Sequence, residues 1–145
     1  MLIERLCLAL MVALVGDVFL GVFSRYVLQA TFRWYDEVAR LCFIWIIFLG
    51  AAVAVRRGMH FRMRLLVDRL GVRAMRVADQ IASATVVAFG GILLAGGYAI
   101  MPIARRQVTD ALEISMLWFY AALPVGGALM IYFALMQWRR PGHER

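Results

Sequence analysis

Four long apolar stretches constrain this chain more than any other feature of its sequence. They run from Leu6 to Val27, Leu41 to Val55, Gln80 to Ala104 and Ile114 to Trp138. A helix of about 20 apolar residues crosses the ~30 Å hydrocarbon core of a bilayer, because each residue adds about 1.5 Å. The second stretch reaches that length only if its helix begins near Tyr35. The sequence therefore predicts four transmembrane helices.

We place these helices in a single membrane domain, at residues 6–27, 35–55, 80–104 and 112–138, with a connector at residues 56–79. Apolar and aromatic residues make up 64% of the chain, against about 45–50% in soluble globular domains. This excess excludes a soluble enzyme, and it excludes a nucleic-acid-binding domain despite the net charge of +7. The fold class is an all-α integral membrane protein.

The arginines predict the orientation. All 16 basic residues are arginine, and 11 of them lie on the side that holds the connector and both termini. Because basic residues in short flanking loops favour the cytoplasm, we predict that both termini are cytoplasmic.

Within the connector, residues 62–70 have the pattern of a short amphipathic helix. Met63, Leu66, Val67 and Leu70 fall on one face at 100° per residue, and the charged residues lie elsewhere. Such a helix lies flat at the membrane surface, where its arginines contact lipid headgroups. The predicted interface-anchoring residues are His60, Arg62, Arg64 and Arg69. The alternative is a solvated basic connector that only enforces the topology.

Asp17 is the one carboxylate near the middle of a predicted span. An ionised side chain at that depth costs at least about 2.5–3.5 kcal/mol on insertion scales, so something must compensate it. We favour a protonated or hydrogen-bonded aspartate that faces another helix, in this chain or in another subunit. A proton or ion site is the alternative.

Few residues in this sequence could act in catalysis or bind a cofactor. Both histidines, His60 and His143, lie outside the predicted spans, which excludes a bis-histidine haem site. The sequence contains neither a Cys-x-x-Cys pair nor a phosphate-binding loop motif. Asp110 and Glu113 have instead the spacing of a helix N-cap and its third residue. We predict no enzymatic activity, no catalytic, substrate-binding or metal-binding residue, and no cofactor in this chain.

Small residues and a proline predict how the later spans pack. Gly91, Ala95 and Ala99 recur at a spacing of four, which lets another helix approach closely. Pro124 leaves the carbonyl of Tyr120 without its helical donor and therefore predicts a kink.

The start of the second span is rich in charged and aromatic residues. Asp36 and Glu37 suit the positive end of the helix dipole, and either can pair with Arg40. This pattern predicts a capped, ion-paired helix start. The alternative is a docking surface for a partner just outside the membrane.

Four sequence elements together resemble one family. They are Ser24-Arg25-Tyr26-Val27, Trp34-Tyr35-Asp36-Glu37-Val38-Ala39-Arg40, Phe48-Leu49-Gly50-Ala51-Ala52 and Arg56-Arg57-Gly58-Met59-His60-Phe61. Their order and spacing resemble the small membrane subunit of tripartite ATP-independent periplasmic (TRAP) transporters.

The resemblance implies sodium-driven uptake of a small carboxylate solute across the inner membrane of a bacterium or archaeon. A periplasmic binding protein would deliver the solute, and a large elevator-type subunit would carry it together with sodium ions. The small subunit would scaffold the large one and hold no substrate or sodium site. The residues predicted to contact the large subunit or the binding protein are Arg25, Trp34, Glu37, Arg40, Gly50, Gly91 and Ala95.

Two other transporter classes remain as alternatives. An autonomous small multidrug-type antiporter also has four helices and an acid in its first helix. Asp17 would correspond to that acid. The uneven distribution of arginine argues against the dual insertion of that class. The small subunit of tripartite tricarboxylate transporters has a similar size and helix count, but the pattern from Trp34 to Arg40 favours the TRAP family.

Overall fold

The computed structural model describes residues 2–30, 32–57 and 71–138. Its helices are α1 (Leu2–Tyr26), α2 (Trp34–Arg56), α3 (Gly71–Ala104), α4 (Leu117–Tyr120) and α5 (Ala122–Trp138). The predicted amphipathic segment and its anchoring residues His60, Arg62, Arg64 and Arg69 lie outside the described ranges.

Four helical segments are long and apolar enough to cross a bilayer. They are Ile3–Tyr26, Trp34–Arg56, Gln80–Ala104 and Leu117–Gln137, the last of which joins α4 and α5. The described ranges contain no strand, only an isolated β-bridge between Val108 and Ser115. The prediction of an all-α chain with four potential spans is therefore confirmed.

Two helix starts differ from the prediction. Helix α3 begins at Gly71, inside the predicted connector, and its 34 residues extend about 50 Å, well beyond the bilayer core. The fourth span begins at Leu117 rather than at residue 112, because the residues before it form a loop. The helix of the fourth span is interrupted at Ala121, about one turn before Pro124, while the predicted kink itself stays a prediction.

The spanning helices form an open row in the order α1, α2, α5, α3. Helix α1 packs on α2, α2 also packs on α5, and α5 packs on α3; among the described helices α1 contacts neither α3 nor α5. A core joins α2 and α5 and consists of Ala52, Val55, Met130, Phe133 and Ala134. The two outer helices consequently expose wide apolar faces, with Phe19 of α1 68% exposed and Ile92 of α3 70% exposed.

Helices α3 and α5 approach each other through glycines. A Cβ at Gly90 would lie 2.8 Å from Ile131 Cγ1, and one at Gly127 would lie 2.6 Å from the Gly90 carbonyl oxygen. The predicted small-residue stripe makes no such contact with the described residues: a Cβ at Gly91 would meet nothing within 4 Å, and Ala95 is exposed. The close approach lies one residue earlier because the face of α3 toward α5 carries Gly90 and Gly97.

Polar contacts join three helices at one end of the molecule, which we call the Glu4 end. The Arg57 guanidinium donates to Glu4 Oε1 at 3.0 Å. The Gln137 side-chain amide donates to the carbonyl of Val55, and the Arg56 guanidinium lies 5.8 Å from the Phe133 ring centroid. The start of α1 and the end of α5 therefore lie at the same end, and the opposite end is called the Glu37 end.

Candidate interface at the Glu37 end

Glu37 lies in the first turn of α2 and binds the loop between α3 and α4. Its Oε1 accepts a hydrogen bond from the Ala111 N–H at 2.8 Å, and its Oε2 accepts one from the Leu112 N–H at 2.9 Å. Two consecutive amides thus occupy both oxygens of one carboxylate, which makes the contact charge-assisted and directional. Glu37 fixes loop 105–116 on α2.

The loop presents those amides because its own backbone is paired. The Thr109 N–H donates to the Ile114 carbonyl at 2.9 Å, and the Met116 N–H donates to the Gln107 carbonyl at 2.9 Å. The Ile114 N–H also donates to Thr109 Oγ1 at 3.2 Å. These bonds form a short hairpin-like turn whose tip, residues 110–112, faces Glu37.

The predicted helix start at Asp110 and Glu113 is wrong. Glu113 has a φ of 52°, a left-handed conformation that an α-helix does not contain. The helix begins at Leu117, where Ser115 Oγ accepts a hydrogen bond from the Leu117 N–H and donates one to the Ala104 carbonyl, both at 3.3 Å. Asp110 therefore belongs to the turn that Glu37 holds.

The expected ion-paired start of α2 is also absent from the part of the chain that the structure describes. Arg33 stands at the N-cap without a side-chain hydrogen bond, and no ion pair joins Arg40 to Asp36 or to Glu37. The Glu37 carboxylate is instead occupied by the loop, while Arg40 and Asp36 are exposed.

Of the remaining predicted contact residues, Arg25 and Trp34 are exposed and Gly50 is half-buried. Arg25, at the end of α1, is exposed, and Trp34 is 38% exposed with its ring centroid 3.8 Å from that of Tyr35. A Cβ at Gly50 would meet nothing within 4 Å, so no described helix of this chain passes closely there. The Trp-x-x-Glu-x-x-Arg pattern therefore divides into one internal residue, Glu37, and two outward ones, Trp34 and Arg40.

Asp17 faces α2 from the middle of α1. The residue is only 8% exposed, and its Oδ2 has no hydrogen-bond partner among the described residues. Asp17 lines a cleft together with Tyr35, Asp36 and Ala39 of α2, and the expectation that it is protonated or hydrogen-bonded stays a prediction.

Sequence reasoning missed the partners of two side chains. It assigned no role to the amides of Ala111 and Leu112, and it overlooked the Trp45 indole, which donates to the Trp118 carbonyl at 3.1 Å. A usable signal existed in both cases. An acid at a helix start and an indole N–H inside a span each need a hydrogen-bond partner.

Comparison with known proteins places this chain in a family. Residues 6–141 match the family model described as tripartite ATP-independent periplasmic transporters, DctQ component. The chain belongs to this family of small permease subunits of TRAP transporters. The membership supports the TRAP assignment over the multidrug-type antiporter and the tricarboxylate alternative.

Individual relatives agree with this membership. The small permease is 28% identical over 130 residues to the sialic acid TRAP transporter small permease protein SiaQ of Vibrio cholerae, covering 89% of this chain and 75% of that protein. It is 28% identical over 101 residues to the C4-dicarboxylate TRAP transporter small permease protein DctQ of Rhodobacter capsulatus, covering 68% of this chain and 44% of that protein.

A third relative is much longer. The sialic acid TRAP transporter permease protein SiaT of Haemophilus influenzae is 26% identical over 123 residues, which is 85% of this chain but only 20% of that protein. A segment similar to the small permease thus occurs within a longer permease chain.

Proposed function

We propose that this small permease is a non-catalytic scaffold for a large elevator-type permease subunit. The open helix row carries the proposal, because it leaves the apolar faces of α1 and α3 without a partner in the described chain. Lipid covers part of this surface, and a second membrane protein covers the rest. The similarity to part of the longer permease SiaT supports this partnership.

The complex performs sodium-driven uptake of a small carboxylate solute that a periplasmic binding protein delivers. Two relatives are named for sialic acid and for C4-dicarboxylates, which supports a carboxylate solute. Sodium ions and solute bind the large subunit, and this chain supplies no cofactor site.

The small permease lies in the inner membrane with its Glu4 end in the cytoplasm and its Glu37 end in the periplasm. The arginine distribution supports this orientation. Residues 62–70 then contact lipid headgroups on the cytoplasmic side. Arg25, Trp34 and Arg40 are exposed at the periplasmic end, where they contact the large subunit or the binding protein.

Arg40→Ala is expected to lower uptake without unfolding the small permease. Arg40 is exposed and makes no ion pair within the described chain, so its loss removes an intermolecular contact only. The measurement is co-purification of the large subunit from detergent-solubilised membranes, beside solute uptake and the melting temperature of the small permease.

Arg105→Ala is the matched control, because Arg105 is an exposed arginine at the same end and lies outside the family pattern. Reduced co-purification of the large subunit and reduced uptake in Arg40→Ala, but not in Arg105→Ala, support the scaffold function. Wild-type small permease that never co-purifies with a large subunit would refute it.

A further inference from the structure

A cleft of about 150 Å³ lies between α1 and α2, between the middle of the span and the Glu37 end. Asp17 lines its deep part, and Asp36 and Arg25 line it nearer the helix ends. Val18 and Val22 line one side and are 49% and 52% exposed, so the cleft opens laterally toward whatever surrounds the chain. A neighbouring membrane helix has direct access to it.

Asp17 is the unsatisfied group in this cleft. It is 8% exposed, and its Oδ2 has no hydrogen-bond partner in the described residues. Buried polar groups are nearly always hydrogen-bonded, and a carboxylate within the membrane is costly without a partner. A donor from outside the described chain would satisfy this oxygen.

The described chain does not provide a compensating cation at this depth. Helix α2 is the only described helix packed on α1, and the charged side chain that it contributes to the cleft is Asp36, another acid. Arg25 lies eight residues after Asp17, about 12 Å along the helix axis. When both carboxylates are ionised, the one guanidinium leaves the cleft with a net charge of −1, which a basic side chain would neutralise.

We propose that the cleft receives a basic side chain of the large permease subunit, with Asp17 as its counter-ion. This inference rests on the proposed scaffold function, which brings a second membrane protein against α1. A lysine or arginine entering past Val18 and Val22 keeps its aliphatic stem against apolar side chains and places its charged end on Asp17. The pair fixes the register of the two subunits, since buried ion pairs specify geometry.

The first test is Asp17→Asn in the co-expressed two-subunit complex. Asparagine keeps the size of the side chain but removes the charge and leaves the basic partner unpaired, so the dissociation constant of the two subunits is expected to rise about 30-fold or more. Asp110→Asn is the control, because Asp110 is an exposed acid at the same end and does not line the cleft. An Asp17→Asn complex as stable as the Asp110→Asn complex would overturn the proposal.

A second test does not depend on the folding of an Asp17 variant. A photo-crosslinking benzoylphenylalanine is placed at Val18, which lines the cleft, or at Leu20, which is similarly exposed, at 52%, and does not line it. The Val18 probe is expected to crosslink to a large-subunit peptide that contains lysine or arginine, and the Leu20 probe is not. Crosslinks from Val18 only to lipid or to a second small permease would contradict the inference.

The two proposals fail in different ways. If wild-type subunits co-purify but Val18 never reaches the large subunit, the cleft inference is wrong and the scaffold function stands. If the wild-type subunits do not associate at all, both are wrong.

Discussion

Replacing Gly127 with alanine is expected to destabilise the small permease by roughly 1–3 kcal/mol, the usual cost of overpacking a close-packed core. The new Cβ would lie 2.6 Å from the Gly90 carbonyl oxygen and 3.1 Å from the Leu94 backbone nitrogen. These are backbone atoms of α3, so the strain cannot be relieved by rotating a side chain. Helices α3 and α5 must move apart, which also loosens the α2–α5 core.

The measurement is the free energy of unfolding of the purified subunit in detergent. Gly91→Ala is the matched control, since a Cβ at that position meets nothing within 4 Å. This second variant is expected to be neutral or slightly stabilising, because alanine loses less backbone freedom than glycine in a helix. Equal destabilisation by both variants would show that the cost of Gly127→Ala does not come from the α3–α5 contact, because a Cβ at Gly91 meets nothing within 4 Å.

Glu37→Ala is expected to release loop 105–116 from α2 and to reduce solute uptake strongly. The substitution removes both acceptors of the Ala111 and Leu112 amides, which then exchange with solvent. Hydrogen–deuterium exchange at these two amides is expected to accelerate about tenfold or more, since local opening of a surface loop becomes easy. The Thr109 amide is expected to change less, because it is bonded to the Ile114 carbonyl inside the loop.

Glu113→Gln is the control for this variant, because Glu113 is an exposed acid of the same loop and is not part of the Glu37 contact. Its exchange pattern and uptake are expected to match the wild type. Unchanged exchange at Ala111 and Leu112 in Glu37→Ala would mean that the loop is held by other contacts, and that Glu37 acts elsewhere.

The difference between Glu37 and Arg40 separates two roles within one sequence pattern. Loss of Glu37 changes the chain's own loop, whereas loss of Arg40 changes only contacts with other molecules. Both substitutions lower uptake, but only the first alters amide exchange in the isolated small permease.

The spanning helices could be predicted from sequence because the length of an apolar stretch is a local property. That length decides whether a helix can cross the bilayer. The break before Pro124 was predictable for a similar reason, since a missing N–H acts within one turn. The start of the fourth span could not be predicted, because the spacing of Asp110 and Glu113 fits a helix cap and a turn equally well. A positive φ at Glu113 separates the two, and it depends on pairing across the loop.

The hydrogen-bond partners of Glu37 could not be predicted from the neighbouring sequence. The Ala111 amide is 74 residues away from Glu37 in sequence. The local sequence was equally consistent with an ion pair between Glu37 and Arg40. Likewise, the spacing of small residues in α3 did not show whether Gly90 and Gly97 or the stripe of Gly91, Ala95 and Ala99 would face α5. Which stripe packs inside the chain depends on the rotation of α3 about its axis, and that rotation is set by α5.

Reconstitution into liposomes tests the scaffold function most directly. The small permease alone is expected to give no sodium-coupled accumulation of solute, while the same preparation with the large subunit and the periplasmic binding protein is expected to accumulate it. Ion-coupled accumulation by the small permease alone would contradict the proposal that this chain supports a transporter without transporting.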